Sequence, residues 1–152
     1  MKKYLQKKLK NEKGMTLIEL LAVIVIIAII AAIAIPAIGG IIDNSRVGAI
    51  KSDATNALSA AELYKLDIPA TTGSVTVQQL LDAKYLDSAG KLPPAAVITF
   101  GTSSALNTIK TATPAIDGKI EVTFNEATKK HIADYANSTR DNTTGTVVAT
   151  KK

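Results

Sequence analysis

The chain has 152 residues, a formal net charge of +5 at pH 7 and no cysteine, which excludes disulfides, thiol chemistry and cysteine-ligated zinc. Positive charge can indicate nucleic-acid binding, but six of the 18 basic and one of the 13 acidic side chains lie in residues 1–14. Residues 15–152 therefore contain twelve of each, and nothing in them favours intrinsic nucleic-acid binding through phosphate contacts.

An uncharged run of 23 residues, Leu20–Ile42, follows this lysine-rich N-terminal segment. As an α-helix the run would be about 35 Å long, which is enough to cross a bilayer core of about 30 Å. Because lysines directly before a membrane span stay on the cytoplasmic side, we expect residues 1–14 to be cytoplasmic. A secretory signal peptide cut near Ala34 is the alternative, since Ala32-Ile33-Ala34 offers small residues at a cleavage point.

The junction between the two segments reads Lys13-Gly14-Met15-Thr16-Leu17-Ile18-Glu19. It resembles the prepilin peptidase site of type IV pilins, in which a lysine-rich leader ends in Gly. In that family the mature chain opens with an apolar residue, Thr-Leu-Ile-Glu and a long apolar helix. The resemblance implies cleavage after Gly14 and N-methylation of Met15, at which position the family most often has Phe.

Glu19 is the acidic residue in the first turn of the expected helix. The helix dipole favours an acid there by about 0.3–1 kcal/mol, whereas a carboxylate at the bilayer centre costs about 2.5–3.5 kcal/mol. The resemblance implies a further role in assembly, in which Glu19 pairs with the Met15 amine of a neighbouring subunit and sets the axial register. Thr16 belongs to the same assembly motif.

Pro36 lies well inside the helical run and removes one backbone donor, which predicts a kink. Membrane helices tolerate such kinks. In the pilins that the chain resembles, the segment before this proline unwinds on polymerisation, which here corresponds to about residues 28–36.

Beyond Asp43 the helix is expected to continue with one apolar face and to end before Pro69. Residues that alternate in steps of three and four define this face: Val47, Ile50, Ala54, Ala57, Ala61 and Tyr64. This pattern predicts a helix that packs one side against a sheet.

The remaining chain alternates turn signals with short apolar runs. Thr76-Val77-Gln78-Gln79 has the capping-box pattern and predicts a helix to about Tyr85. Further elements are predicted as strands at 96–100, 106–113, 119–124 and 146–150 and a helix at 126–135 capped by Asn125. Asp117-Gly118 is expected to join the second and third strands as a hairpin. The fold class is α+β, with a long N-terminal helix on a small antiparallel sheet.

No catalytic, cofactor-binding or metal-binding constellation is expected, and the chain is not expected to be an enzyme. His131 is the single histidine and is expected to be solvated. Lys129-Lys130 and Lys151-Lys152 are interpreted as solvated faces. The sequons that begin at Asn137 and Asn142 are interpreted as chance matches.

These features divide the chain into a cleaved leader (1–14), a transmembrane and filament-core helix (15–42) and an exported head domain (43–152). The resemblance implies a structural subunit of a type IV pilus that forms a helical homopolymer. It implies prepilin peptidase, a pilus assembly ATPase and a platform membrane protein as partners. The subunit would pass from the cytoplasmic membrane to a surface filament. A minor pilin or pseudopilin of a competence or secretion system, a secreted binding protein and a membrane-anchored monomer remain alternatives.

Overall fold

The structure, a computed structural model, describes residues 16–71, 73–101, 106–137 and 147–151. The expected leader, Gly14 and Met15 lie outside the described residues. The chain forms two compact units, Met1–Gly40 and Ile41–Lys152. The architecture is α+β, as predicted, with one long helix and small antiparallel sheets.

Helix α1 spans Leu17–Asp67 and contains Pro36. It ends just before Ile68-Pro69, as predicted, because the residue ahead of a proline disfavours the helical conformation. The helix assignment continues through Pro36, so the kink and the unwinding of residues 28–36 remain predictions.

In the first unit, the apolar side chains of α1 are exposed. Their exposure ranges from 47% for Val23 to 83% for Leu17. An 18-residue window of α1 has a mean hydropathy of 3.2, and none of it is buried. By length and composition, this helix is able to cross a membrane.

In the second unit, the predicted apolar face of α1 is confirmed. Val47, Ile50, Ala54, Ala57 and Ala61 are fully buried, and Tyr64 packs on the edge of the core. The alanines allow close approach of the helix backbone, while Ile50 and Leu58 supply the bulk. This half of α1 therefore provides one wall of the core of the second unit.

The strands of the described residues form two three-stranded antiparallel sheets. The first has the order β1 (Ser74–Thr76), β2 (Val97–Thr99) and β3 (Thr108–Lys110); the second has β4 (Ala115–Asp117), β5 (Ile120–Phe124) and β6 (Val147–Lys151). On β5 the predicted alternation is confirmed, with Ile120, Val122 and Phe124 buried. The start of the predicted last strand, Thr146, lies outside the described residues.

The predicted hairpin has a different first strand. β5 pairs with β4, and β3 pairs with β2 in the other sheet. The sequence analysis predicted neither β4 nor β1. The predicted strand 106–113 is thus too long, because β3 ends at Lys110, the chain bends at 112–113 and the second sheet begins at Ala115. The turn lies one residue later than predicted, at Gly118-Lys119, because Asp117 pairs with Ile120; Gly118 takes the positive φ of 63° that favours glycine.

Helices α2 (Val77–Asp82) and α3 (Lys129–Asp134) are shorter than predicted. The capping box of α2 between Thr76 and Gln79 is confirmed. The predicted Asn125 cap of α3 is wrong, because Thr128 is the N-cap. Ala127 forms a β-bridge with Ile109, so the backbone is still extended two residues after Asn125.

The two sheets are joined at Thr111 and Phe124. The Thr111 amide donates to the Phe124 carbonyl at 2.9 Å, and the Phe124 amide donates to Thr111 Oγ1 at 2.9 Å. Thr111 is only 4% exposed, so this pair satisfies polar groups inside the core.

At its beginning, the head domain is held by Asp43. The Asp43 carboxylate accepts from Lys151 Nζ at 2.5 Å and lies 3.7 Å from Arg46 Nη1. This residue therefore connects α1 to the last described residue of β6.

A fragment that begins at Asp43 is expected to be soluble and folded, because the exposed apolar residues of α1 that could span a membrane lie before it. A fragment that begins at Asn44 is expected to fold as well but to be less stable by about 1–3 kcal/mol, since it loses the buried, hydrogen-bonded carboxylate of Asp43. Urea unfolding followed by circular dichroism measures both. Equal stability of the two fragments would show that the Asp43 contacts contribute nothing.

Candidate processing and assembly site

Thr16 and Glu19 form a reciprocal cap at the start of α1. The Thr16 amide and hydroxyl donate to Glu19 Oε2 at 2.7 and 2.9 Å, and the Glu19 amide donates to Thr16 Oγ1 at 3.3 Å. The Thr16 carbonyl accepts the first helical bond, from the Leu20 amide. Two backbone donors of the first turn that have no helical partner are thereby satisfied.

The sequence analysis placed Glu19 in the first turn of the helix but missed its reciprocal hydrogen bonds with Thr16. The signal was present, because Thr-x-x-Glu is the same capping-box pattern that was recognised at Thr76 and Gln79. The structure thus shows why a threonine precedes the acid by three residues. The helix dipole also favours the negative charge of Glu19 at this N-terminus.

Both bonds from Thr16 reach the same carboxylate oxygen of Glu19. No described residue donates to the other oxygen, Oε1. Glu19 is exposed, so Oε1 is accessible to a cation from outside the described residues. The arrangement fixes the carboxylate on its own helix and leaves one oxygen for a second partner.

Pro36 lies twenty residues after Thr16 in the same helix, so the structure does not bring it to the cap. Ideal Cβ atoms on Gly39 and Gly40 would meet nothing within 4 Å. A side chain at either position would therefore extend into open space. Both glycines lower the helix propensity of the stretch that contains Pro36.

Elsewhere, the described residues contain no group of three or more His, Asp or Glu side chains placed to hold a metal ion. His131 is exposed, as predicted, and its Nδ1 accepts from the Thr128 amide at 3.4 Å in the cap of α3. Lys129 and Lys130 are more than solvated side chains, since they form ion pairs with Glu62 and Asp134 at 2.7 and 2.6 Å. Lys151 likewise pairs with Asp43.

A polar cleft lies between α1 and the loop after α2. Its volume is about 450 Å³, and Asp53, Asn56, Tyr85 and Asp87 are among its lining residues. Asp53 is occupied, because its Oδ2 accepts from the Lys91 amide at 2.8 Å. The Tyr85 hydroxyl donates to Asp67 at 2.7 Å, and this bond raises the pKa of Tyr85. Both contacts attach the chain after α2 to α1, which is a structural role.

Comparison with known proteins gives one match. Residues 9–35 match the family of the prokaryotic N-terminal methylation motif. No curated protein and no solved structure matches the chain significantly. The matched range covers Gly14 and Met15, the Thr16–Glu19 cap and the first sixteen of the 23 residues of the apolar run. The chain therefore carries the prepilin-type cleavage and methylation motif of type IV pilin-like proteins.

Proposed function

We propose that the chain is the precursor of a structural subunit of a type IV pilus or related filament. The observation that carries this proposal is the methylation motif at residues 9–35, whose Gly14-Met15 junction precedes a helix with unburied apolar side chains. A signal peptide has its cleavage point after the apolar run, whereas the cleavage point that this motif implies, after Gly14, lies before it. The apolar helix would then remain part of the mature protein.

The exposed helix explains why such a protein needs either a membrane or copies of itself. Between residues 17 and 42, sixteen Leu, Ile and Val side chains are exposed. Exposure of each side chain to water costs about 1.5–3 kcal/mol. The sum over these side chains exceeds the free energy of unfolding of a typical domain. Lipid tails and the core of a helical filament are both apolar, so transfer between them changes the hydrophobic free energy little. A molecular motor could therefore drive subunits in either direction.

We propose that Glu19 acts twice in this cycle. Its Oε2 caps its own helix through Thr16, and its Oε1 accepts from the Met15 amine of a neighbouring subunit in the filament. Cleavage after Gly14 would create that amine. Because the cap fixes the rotamer of Glu19, less side-chain freedom is lost when the second partner binds.

The partners that this proposal requires are a prepilin peptidase, an assembly ATPase and a platform membrane protein. The precursor would be anchored in the cytoplasmic membrane and the mature subunit would reach the cell surface. A minor pilin or pseudopilin is the second candidate, because the same motif serves these proteins. The abundance of the chain in sheared surface filaments distinguishes a major subunit from either.

The mature chain is expected to begin at Met15 with a methylated amine. N-terminal sequencing and intact-mass measurement of membrane and surface fractions test this directly. Replacement of Gly14 by valine is expected to block processing, because a larger side chain then occupies the residue before the cut. Lys13→Gln, which leaves the glycine in place, is the control and should be processed. A mature terminus near Ile35 would establish the signal-peptide alternative instead.

A further inference from the structure

The end of the head domain that contains Asp43 carries a cluster of basic side chains. We call it the basic pole and define it by Arg46, Lys91, Lys119 and Lys151. Arg46 and Lys151 contact Asp43, and Lys91 lies 3.6 Å from Asp117. Ile120 pairs with Lys151 across β5 and β6, which places the β4–β5 turn and Lys119 beside them.

The acidic side chains that pair with these bases are less exposed than the bases themselves. The side chains of Asp43 and Asp117 are 11% and 24% exposed, against 52% for Lys151, 50% for Lys91 and 36% for Arg46. Lys119 is exposed as well, and nearby Glu121 is half-buried on β5. The more exposed charges at the pole are therefore the positive ones, although Arg46, Lys91 and Lys151 each have an acidic partner.

The turn between β4 and β5 positions Arg46. Gly118 has a φ of 63°, and a Cβ on it would lie 2.8 Å from Arg46 Nη1 and 2.9 Å from Cζ. The guanidinium thus lies directly over the glycine backbone. Its contact with Asp43 is 3.7 Å long, so most of its five donors remain available to a second anion.

Chain connectivity determines what the pole meets while the apolar helix spans a membrane. Asp43 directly follows Ile42, the last residue of the apolar run, and Arg46 lies about 4.5 Å further along α1. The headgroup layer is about 5–7 Å thick on each side of the hydrocarbon core. Arg46 and its neighbours are therefore at the level of the lipid phosphates.

We infer that the basic pole binds anionic lipid headgroups and holds the head domain against the membrane surface before assembly. This inference rests on the membrane span that the proposed function requires, but not on polymerisation. A base near an anionic surface contributes about 1 kcal/mol, which corresponds to about a fivefold change in the docked-to-undocked ratio. Extraction of a subunit into a filament would break these contacts.

The chain has no cysteine, so Ile116→Cys gives a single spin-label site next to the pole. The labelled full chain is inserted into vesicles of phosphatidylcholine alone or with about one third phosphatidylglycerol. Collision rates with oxygen and with a water-soluble nickel complex then report whether the label contacts lipid. We expect lipid contact with phosphatidylglycerol at about 0.01 M salt, and its loss at about 1 M, where the screening length is about 3 Å.

Lys119→Gln is expected to lower the docked-to-undocked ratio about fivefold, and Lys119→Arg is expected to preserve it. Lys119 is suited to this test because it is exposed and lies in a turn, so neither change threatens the fold. Lys84→Gln is the control, since Lys84 precedes Tyr85, which bonds to Asp67 at the far end of α1, about 36 Å from Asp43.

Equal lipid contact in both vesicle types would overturn the inference, as would an equal effect of Lys84→Gln and Lys119→Gln. Flotation of the vesicles in alkaline carbonate measures insertion separately. Failure to float would contradict the membrane span on which both proposals rest. Normal flotation with an unchanged label would contradict the lipid contact alone and leave the proposed function standing.

Discussion

Glu19→Gln is expected to leave membrane insertion and cleavage after Gly14 intact and to reduce filament yield at least about tenfold. Glutamine retains the side-chain oxygen that caps the helix, as Gln79 does in the capping box of α2. It lacks the negative charge that would pair with the Met15 amine of a neighbouring subunit. An unpaired buried charge costs several kcal/mol, and each 1.4 kcal/mol is a factor of ten.

Two further variants separate the two roles of Glu19. Thr16→Ala removes the hydroxyl of the cap but keeps the charge of Glu19. It should therefore lower only the stability of the helix, by the loss of a cap, which is about 0.5–2 kcal/mol. Glu19→Ala removes both functions and should resemble Glu19→Gln in filament yield. The measurement compares sheared filaments with processed subunit in the membrane fraction. Wild-type yield from Glu19→Gln would show that Glu19 serves its own helix alone.

Phe124→Ala is expected to destabilise the head domain by about 3–5 kcal/mol, a large share of the about 5–15 kcal/mol of a typical domain. Phe124 is the largest fully buried side chain among the described residues, and its backbone joins the two sheets through Thr111. Its truncation leaves a cavity at that junction. The apolar face of α1, which packs on the same core, would lose part of its packing contacts.

Pulse proteolysis of the full chain in detergent, over a series of urea concentrations, measures this loss. The matched control is Leu106→Ala, which truncates an exposed apolar residue and should change stability by less than about 0.5 kcal/mol. Equal urea midpoints for Phe124→Ala and the wild type would contradict the assigned core. A low midpoint for both variants would show that the Leu106 side chain is covered in solution.

Features with a local cause were readable from the sequence. The apolar run, the buried face of α1, the helix end before Pro69 and the Thr76–Gln79 cap each follow from periodicity or from the chemistry of neighbouring residues. The prepilin motif is likewise a contiguous pattern, and its family match confirms it. The same local rule could have predicted the Thr16–Glu19 cap, whose pattern the family resemblance obscured.

Features that depend on distant partners were not readable. β1 and β4 have three residues each, too few to show alternation, and they exist because β2 and β5 offer hydrogen-bonding edges. Ala127 pairs with Ile109 eighteen residues away, which moves the start of α3 from Asn125 to Thr128. Lys151 meets Asp43 across 108 residues, a contact that only the paired strands of the second sheet can bring about. The sequence by itself determined the long apolar helix and its prepilin-type motif, because both lie in one contiguous segment. The tertiary structure decided the strand pairing and the basic pole, because these require segments that only folding brings together.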